Sequence, residues 1–166
     1  REMIQDVGAR DAMVLREGVV DFFLAMNVGL VPLNIVSAGL GDVIVAFLEA
    51  RSLKLDCVDV VANWLRFGEG GEVVGCNTSV IHSANKTCLI GVDQLGKRSC
   101  VLVLGDTLED AEMVTDFDGG TVIRVGFLNA DTIDKRDEFG KIYDVVIGGN
   151  GGFEYVNTLV TGWMQR

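Results

Sequence analysis

The sequence predicts an α/β fold, a Rossmann-like parallel sheet with helices on both faces and a small β-hairpin. Short apolar runs alternate with helix-like segments along most of the 166 residues, which is typical of a doubly wound sheet. The run Val101–Leu104 has four successive apolar residues and predicts a strand buried on both faces. A glycine-rich turn at 68–71 separates two strand-like segments, which indicates the hairpin. Because no repeat or linker interrupts this pattern, we expect one domain.

The first half of the chain predicts a helix over 13–27, a strand over 31–36, a helix from 43, a strand over 58–62 and a hairpin over 63–76. In the first helix, apolar residues recur at helical spacing, among them Leu15, Val19 and Met26. The single proline, Pro32, lies near the start of its strand, where a lost backbone donor costs least.

The second half predicts a helix near 86–96, a strand over 99–104, a helix over 108–114, a strand over 122–125, a short charged helix near 131–138, a strand over 145–147 and a final helix. Apolar residues from Phe153 to Trp163 mark that last helix.

Composition excludes several classes of protein. Hydrophobic residues make up 49% of the chain and charged residues 23%, which predicts a folded core. A net charge of −10 argues against nucleic-acid or anionic-membrane partners but not against a small phosphate ester. No apolar run approaches the ~20 residues of a membrane span. One histidine and four separated cysteines make a poor zinc set and favour reduced thiols in the cytoplasm.

Three short motifs carry complementary chemistry. Ser37-Ala38-Gly39 follows one predicted strand, Lys86 opens a helix and Asp106 follows another strand. Since parallel strands present their carboxyl ends on one rim, we expect the three motifs to lie together. A hydroxyl and helix-start amides suit an anion, a lysine suits a phosphate, and one carboxylate with phosphate oxygens suits Mg²⁺.

The segment around Asp106 also has a purely structural interpretation. It can be a strand–turn–helix junction in which Thr107 and Asp110 form a capping box and Asp110 interacts with the helix dipole. This segment alone slightly favours the structural interpretation. The joint order S-x-G, then K, then G-D-x-x-x-D is more specific and favours a ligand site.

That order resembles the second, third and fourth motifs of the haloacid dehalogenase superfamily of phosphohydrolases. Several longer segments are similar to the cytosolic pyrimidine 5′-nucleotidases: LREG at 15–18, IVSAGLGDV at 35–43, VVANWLRF at 60–67, VIHSANK at 80–86, LGDTLEDAEM at 104–113, VGFLN at 125–129 and YDVVI at 143–147.

The resemblance implies a role for each matching residue. Ser37 and the Ala38-Gly39 amides would bind the substrate phosphate. Lys86 would neutralise the phosphoryl group and the nucleophile. Asp106 would ligate Mg²⁺, and Asp110 would support that site without direct ligation.

The first motif of the superfamily, D-x-D-x-T with its nucleophilic aspartate, is missing from the sequence. Asp116 and Asp118 are an imperfect substitute, because Thr121 comes one residue too late and no apolar strand precedes them. The chain opens at Arg1 without Met, so we expect a piece of a longer protein. Residues 1–12 would end a cap segment, and 13–166 would be a HAD-like core lacking its first strand, with uncovered edges beside Ile35–Ser37 and Val101–Asp106.

The leading functional hypothesis is a Mg²⁺-dependent phosphatase that acts on pyrimidine nucleoside monophosphates through an aspartyl-phosphate. The alternative is a non-catalytic fragment or paralogue that keeps the phosphate cradle for binding or assembly. A receiver-type signalling domain comes last, because it explains neither the Ser-Ala-Gly motif nor the hairpin.

Overall fold

The computed structural model describes residues 4, 6, 13–76, 79–82, 85–86, 98–114, 117 and 120–164. The chain divides into two compact units: Arg1–His82 with Gly152–Arg166 forms the first, and Ser83–Gly151 forms the second. Together the described elements are mixed α/β, with parallel strand pairing and one small antiparallel pair. The predicted class of secondary structure is therefore confirmed.

Among the described residues, the first unit has a two-stranded parallel sheet, a hairpin and several helices. Its elements are α1 (Val19–Val28), β1 (Leu33–Leu40), α2 (Gly41–Ala50), β2 (Val58–Asn63), β3 (Leu65–Phe67), β4 (Val73–Cys76) and α4 (Glu154–Met164). β1 and β2 pair in parallel, and β3 and β4 form the predicted antiparallel hairpin. Phe22 of α1 packs against Phe153, with ring centroids 5.3 Å apart.

The second unit contains a three-stranded parallel sheet in the order β5-β6-β7. Its elements are β5 (Cys100–Gly105), a 3₁₀ helix (Glu109–Glu112), β6 (Thr121–Phe127), a second 3₁₀ helix (Ala130–Lys135), α3 (Arg136–Ile142) and β7 (Val145–Ile147). Ala111, Leu128, Phe139 and Tyr143 form its buried core, in which the Phe139 and Tyr143 rings stack at 5.1 Å. The core therefore lies directly behind the end of β5.

Two helix predictions need correction. The helix expected over 13–27 begins only at Val19, because Gly18 adopts a left-handed backbone, φ 75°, that a right-handed helix does not continue. The helix expected over 108–114 is only the 3₁₀ turn Glu109–Glu112. There Arg124 donates to the Ala111 and Val114 carbonyls, groups that helix extension would otherwise use.

Two strand predictions also need correction. β1 continues to Leu40 rather than ending at Val36. Val101–Leu104 is not buried on both faces, since Val103 is its one buried residue. In the described sheet β5 has β6 as its single neighbour.

Some expectations concern segments that the structure does not describe. The helix predicted near 86–96 lies outside the described residues except at Lys86, which is not helical. Among the helices that are described, none combines the length and apolar character needed to cross a membrane.

Candidate functional site

The Ser37-Ala38-Gly39 motif lies in an irregular part of β1. Val36 pairs with Val61 and Leu40 with Asn63, so four steps along β1 match only two along β2. The intervening residues therefore bulge out of the parallel ladder. Within the bulge the Gly39 amide donates to Ser37 Oγ at 3.0 Å, which places this hydroxyl and an amide side by side near the start of α2.

Asn63, the last residue of β2, holds this bulge from the inside. Its side chain is buried, with 6% exposure. Nδ2 donates to the Ala38 carbonyl and to the Ile81 carbonyl, each at 2.9 Å. Oδ1 accepts from the Ile81 amide at 2.8 Å. Both amide hydrogens and the oxygen of this side chain are thus used.

In the second unit, Lys86 and Asp110 form an ion pair. Lys86 Nζ donates to Asp110 Oδ1 at 2.8 Å, and both side chains are largely withdrawn from solvent, at 14% and 5% exposure. A charge this buried is stable only when it is paired and hydrogen-bonded. The pair therefore fixes the position of the Lys86 ammonium.

The second oxygen of Asp110 organises the loop that follows β5. Oδ2 accepts from the Asp106 and Thr107 amides, each at 3.1 Å. Burial alone would raise the pKa of Asp110, but the hydrogen bond and charge of Lys86, together with these amides, lower it below its ordinary value. Asp110 therefore stays ionised, and both of its oxygens have partners.

The capping box predicted for Thr107 and Asp110 is present only in part. Asp110 reaches back to the Thr107 amide. Thr107 Oγ1 is buried and makes no hydrogen bond within the described part of the chain. The reciprocal bond of a capping box is therefore missing, in keeping with the short 3₁₀ turn that replaces the expected helix.

Asp106 is the exposed carboxylate of this loop. Its Oδ2 lies 3.5 Å from Asn129 Nδ2, at the outer limit of a hydrogen bond. The described residues hold no group of three or more metal-ligating side chains. Mg²⁺, however, uses one or two protein carboxylates and fills its remaining positions with water and phosphate oxygens. The donor set fits Mg²⁺ with Asp106 as a direct ligand and Asp110 as a support.

Tyr143 supports the same loop from below. Its hydroxyl donates to the Thr107 carbonyl, and burial together with the charges of Asp110, Asp106 and Glu109 raises its pKa above the ordinary value. A Cβ on Gly105 would lie 2.7 Å from the Tyr143 hydroxyl. The glycine therefore allows the tyrosine to approach the end of β5.

The structure brings Lys86, Asp106 and Asp110 together at one end of the second unit. Ser37, Ala38 and Gly39 belong to the first unit, so their convergence with the other residues stays a prediction. Asp116 and Asp118, considered as a substitute nucleophile motif, lie outside the described residues.

Sequence reasoning gave no role to three residues of these sites: Asn63, Asn129 and Tyr143. Asn63 carried the clearest signal, since it is a polar residue closing the apolar run Val60-Val61-Ala62. Asn129 and Tyr143 lie within the segments 125–129 and 143–147 that resemble the family, but nothing in the sequence indicated a role for either.

Comparison with known proteins gives consistent results. Residues 1–163 match the pyrimidine 5′-nucleotidase (UMPH-1) family. The chain is 29% identical over 165 residues to the 7-methylguanosine phosphate-specific 5′-nucleotidase of Mus musculus, covering 96% of this chain and 55% of the mouse protein. The protein of that name from Drosophila melanogaster is 24% identical over 165 residues, covering 95% of this chain and 51% of its own length.

A solved structure matches the backbone. Cytosolic 5′-nucleotidase IIIB bound to cytidine superposes with a TM-score of 0.84 at 23% identity, over 97% of this chain and 56% of that one. This likeness confirms the fold. The chain spans about half the length of these relatives.

Proposed function

Because the chain belongs to the pyrimidine 5′-nucleotidase (UMPH-1) family, we propose that it is the phosphate-handling part of a cytoplasmic 5′-nucleotidase. The substrate would be a pyrimidine nucleoside monophosphate, cleaved to nucleoside and phosphate. The observation that carries the proposal is the buried Lys86–Asp110 ion pair, 2.8 Å long, directly beside the exposed Asp106. A fixed cation next to an exposed carboxylate suits a phosphate bound together with a metal ion.

Each residue has a defined part in the proposed reaction. Ser37 Oγ and the Ala38 and Gly39 amides bind phosphate oxygens. Lys86, held by Asp110, neutralises charge on the phosphoryl group. Asp106 holds Mg²⁺, which when bound supplies further electrostatic stabilisation.

The nucleophile of the proposed reaction lies in a D-x-D-x-T segment outside these 166 residues. Its aspartate attacks phosphorus, the nucleoside leaves, and water hydrolyses the resulting aspartyl-phosphate. In the same proposal the core is Rossmann-like, residues 1–12 end a cap, and 13–166 form the core without its first strand. The single strand neighbours of β1 and β5 among the described residues agree with a strand missing from this chain.

The names of the relatives support a second substrate. Several are called 7-methylguanosine phosphate-specific, so 7-methylguanosine monophosphate is the alternative to uridine and cytidine monophosphate. Phosphate release from the three compounds by the full-length protein, compared by kcat/KM, chooses between them.

Activity of the isolated chain separates an enzyme from a non-catalytic binding module. We expect residues 1–166 to hydrolyse none of the three compounds, since loss of a nucleophile removes most of the rate of a covalent mechanism. The full-length protein with Mg²⁺ should release phosphate. A full-length protein that binds phosphate and releases none would favour the binding module. Release by the 166-residue chain that is abolished by Asp116→Asn or Asp118→Asn would place the nucleophile there instead.

Metal dependence tests the role of Asp106. Asp106→Asn in the full-length protein should raise the Mg²⁺ concentration needed for half-maximal activity. Glu109→Gln, which removes a neighbouring carboxylate from the same loop, is the matched control and should leave it near the wild-type value. Unchanged metal dependence in Asp106→Asn would move the metal role to another carboxylate.

A further inference from the structure

Asn63 is a buried side chain whose bonds converge on the proposed phosphate-binding bulge. Among the described residues, Asn63 and Asp110 are the buried polar or charged side chains. Asp110 already has a place in the proposed site, whereas Asn63 has none. Buried amides are retained at a cost in desolvation unless their hydrogen bonds are made, so the bonds of Asn63 indicate what it holds in place.

The bulge explains why a side chain is needed at this point. Between Val36 and Leu40 the register of β1 slips against β2, and the regular ladder no longer provides for the backbone groups in between. The Ala38 carbonyl is instead bound by Asn63 Nδ2 at 2.9 Å. The side chain thus replaces a bond that the strand pairing gives up.

The direction of the hydrogen bond from Asn63 to the Ala38 carbonyl determines which groups nearby can bind an anion. An amide that donates to the Ala38 carbonyl fixes the Ala38-Gly39 peptide, whose N–H, that of Gly39, points in the opposite direction within the peptide plane. That N–H donates to Ser37 Oγ at 3.0 Å. Because Ser37 Oγ accepts from Gly39, the O–H of Ser37 is the donor that this arrangement offers to an anion.

The same side chain anchors a second segment. Asn63 accepts from the Ile81 amide and donates to its carbonyl, in the manner of a strand neighbour. The amide is therefore held at two points and cannot rotate without breaking three hydrogen bonds. This rigidity suits a positioning residue.

We propose that Asn63 is a positioning residue for phosphate binding: it fixes the Ala38-Gly39 peptide so that the Gly39 amide donates to Ser37 Oγ and the Ser37 hydroxyl donates to a phosphate oxygen. The inference rests on the proposed phosphate-binding role of the bulge. Asn63 itself does not touch the phosphate.

Phosphate binding by the full-length protein provides the test. The Kd for inorganic phosphate is measured by calorimetry, and the Gly39 amide resonance is followed during the same titration. Asn63→Asp keeps the shape but replaces both donors with a carboxylate that faces two carbonyls. We expect its phosphate Kd to rise about tenfold or more, because a lost hydrogen bond of this kind shifts an equilibrium by about that factor.

Asn157→Asp is the matched control. Asn157 lies in the same unit and donates through Nδ2 to the Gly18 carbonyl at 2.9 Å, away from the bulge in sequence. Both variants should be less stable than wild type, but only Asn63→Asp should lose affinity for phosphate. If Asn63→Asp does not fold, Asn63→Ser is used, with the same expected loss of affinity.

The outcomes separate the two proposals. A wild-type protein whose Gly39 resonance does not respond to phosphate overturns the role of the bulge itself. A responsive wild type with an Asn63 variant that binds phosphate within twofold of it overturns the role of Asn63 alone. Equal losses of affinity in the Asn63 and Asn157 variants would also overturn it, because the effect would then follow stability.

Discussion

Each unit has a loop at a strand end that a buried side chain holds in place. In one loop this side chain donates hydrogen bonds to the backbone of the loop, and in the other it accepts them. In the first unit the neutral Asn63 donates to the Ala38 carbonyl. In the second the ionised Asp110 accepts from the Asp106 and Thr107 amides. The first loop has the Ser37 hydroxyl, a donor that suits an anion, and the second has the exposed Asp106 carboxylate, which suits a cation.

The two arrangements should differ in their response to pH. Asn63 does not titrate, so its bonds persist across the whole range. Asp110 depends on its charge, since Lys86 and two backbone amides all bind the ionised form. Acidic pH should therefore weaken the second loop and leave the hydrogen bonds of Asn63 in the first loop unchanged.

Asp110→Asn gives the largest expected effect. It leaves Lys86 largely buried without a counter-charge, and breaking such a pair costs about 3 kcal/mol of unfolding free energy. Because the pKa of Asp110 in the folded chain lies below the ordinary value of 3.8, this stabilisation is fully present above that pH. It is lost as the pH falls through the pKa in the folded state. Urea unfolding from neutral pH to pH 3 measures both effects.

Asp144→Asn is the control for that variant. Asp144 is an exposed carboxylate in the same unit that accepts one backbone amide, from Arg124, at 2.7 Å. Its replacement should cost about 1 kcal/mol or less. Equal losses in the two variants would mean that the ion pair with Lys86 contributes nothing beyond a backbone hydrogen bond.

The sequence predicted most of the strands and the hairpin, but few of the side-chain hydrogen bonds that hold the two loops. The hairpin was predicted from its glycine-rich turn and β7 from an apolar run, and both are local signals in the sequence. The end of β1 was misplaced, because the bulge at Ser37 depends on Asn63, 26 residues later, and no local pattern contains that contact. Asp106 and Asp110 were found by spacing, whereas Tyr143 reaches Thr107 across 36 residues.

Gly126→Ala tests how closely the second loop depends on the packing beneath it. A Cβ at Gly126 would lie 2.7 Å from the Tyr143 ring and 2.9 Å from Phe139. The stacked rings must then shift, at a cost of about 1–3 kcal/mol. Thermal unfolding should show the loss.

Gly140→Ala is the matched control, since it adds the same methyl group to the same unit. Gly140 lies within α3, and a Cβ there would meet nothing within 4 Å. Alanine at this position should raise stability by about 0.5–1 kcal/mol. If both variants lose stability, the loss in Gly126→Ala cannot be attributed to contact with the Tyr143 ring.

Tyr143→Phe gives the smallest effect and separates the hydrogen bond from the packing. The ring remains stacked on Phe139, while the bond to the Thr107 carbonyl is lost, at a cost of about 1 kcal/mol at neutral pH. The raised pKa of Tyr143 favours its protonated form in the folded state, so its stabilisation is present below pH 10. It fades at higher pH as the unfolded chain gives up that proton. The deficit of the variant should therefore shrink above pH 10.

Tyr155→Phe is the control, at a residue 51% exposed in the first unit, and it should change neutral-pH stability by less than about 0.5 kcal/mol. A Tyr143→Phe deficit that is constant with pH would assign the role of this tyrosine to packing rather than to its hydroxyl.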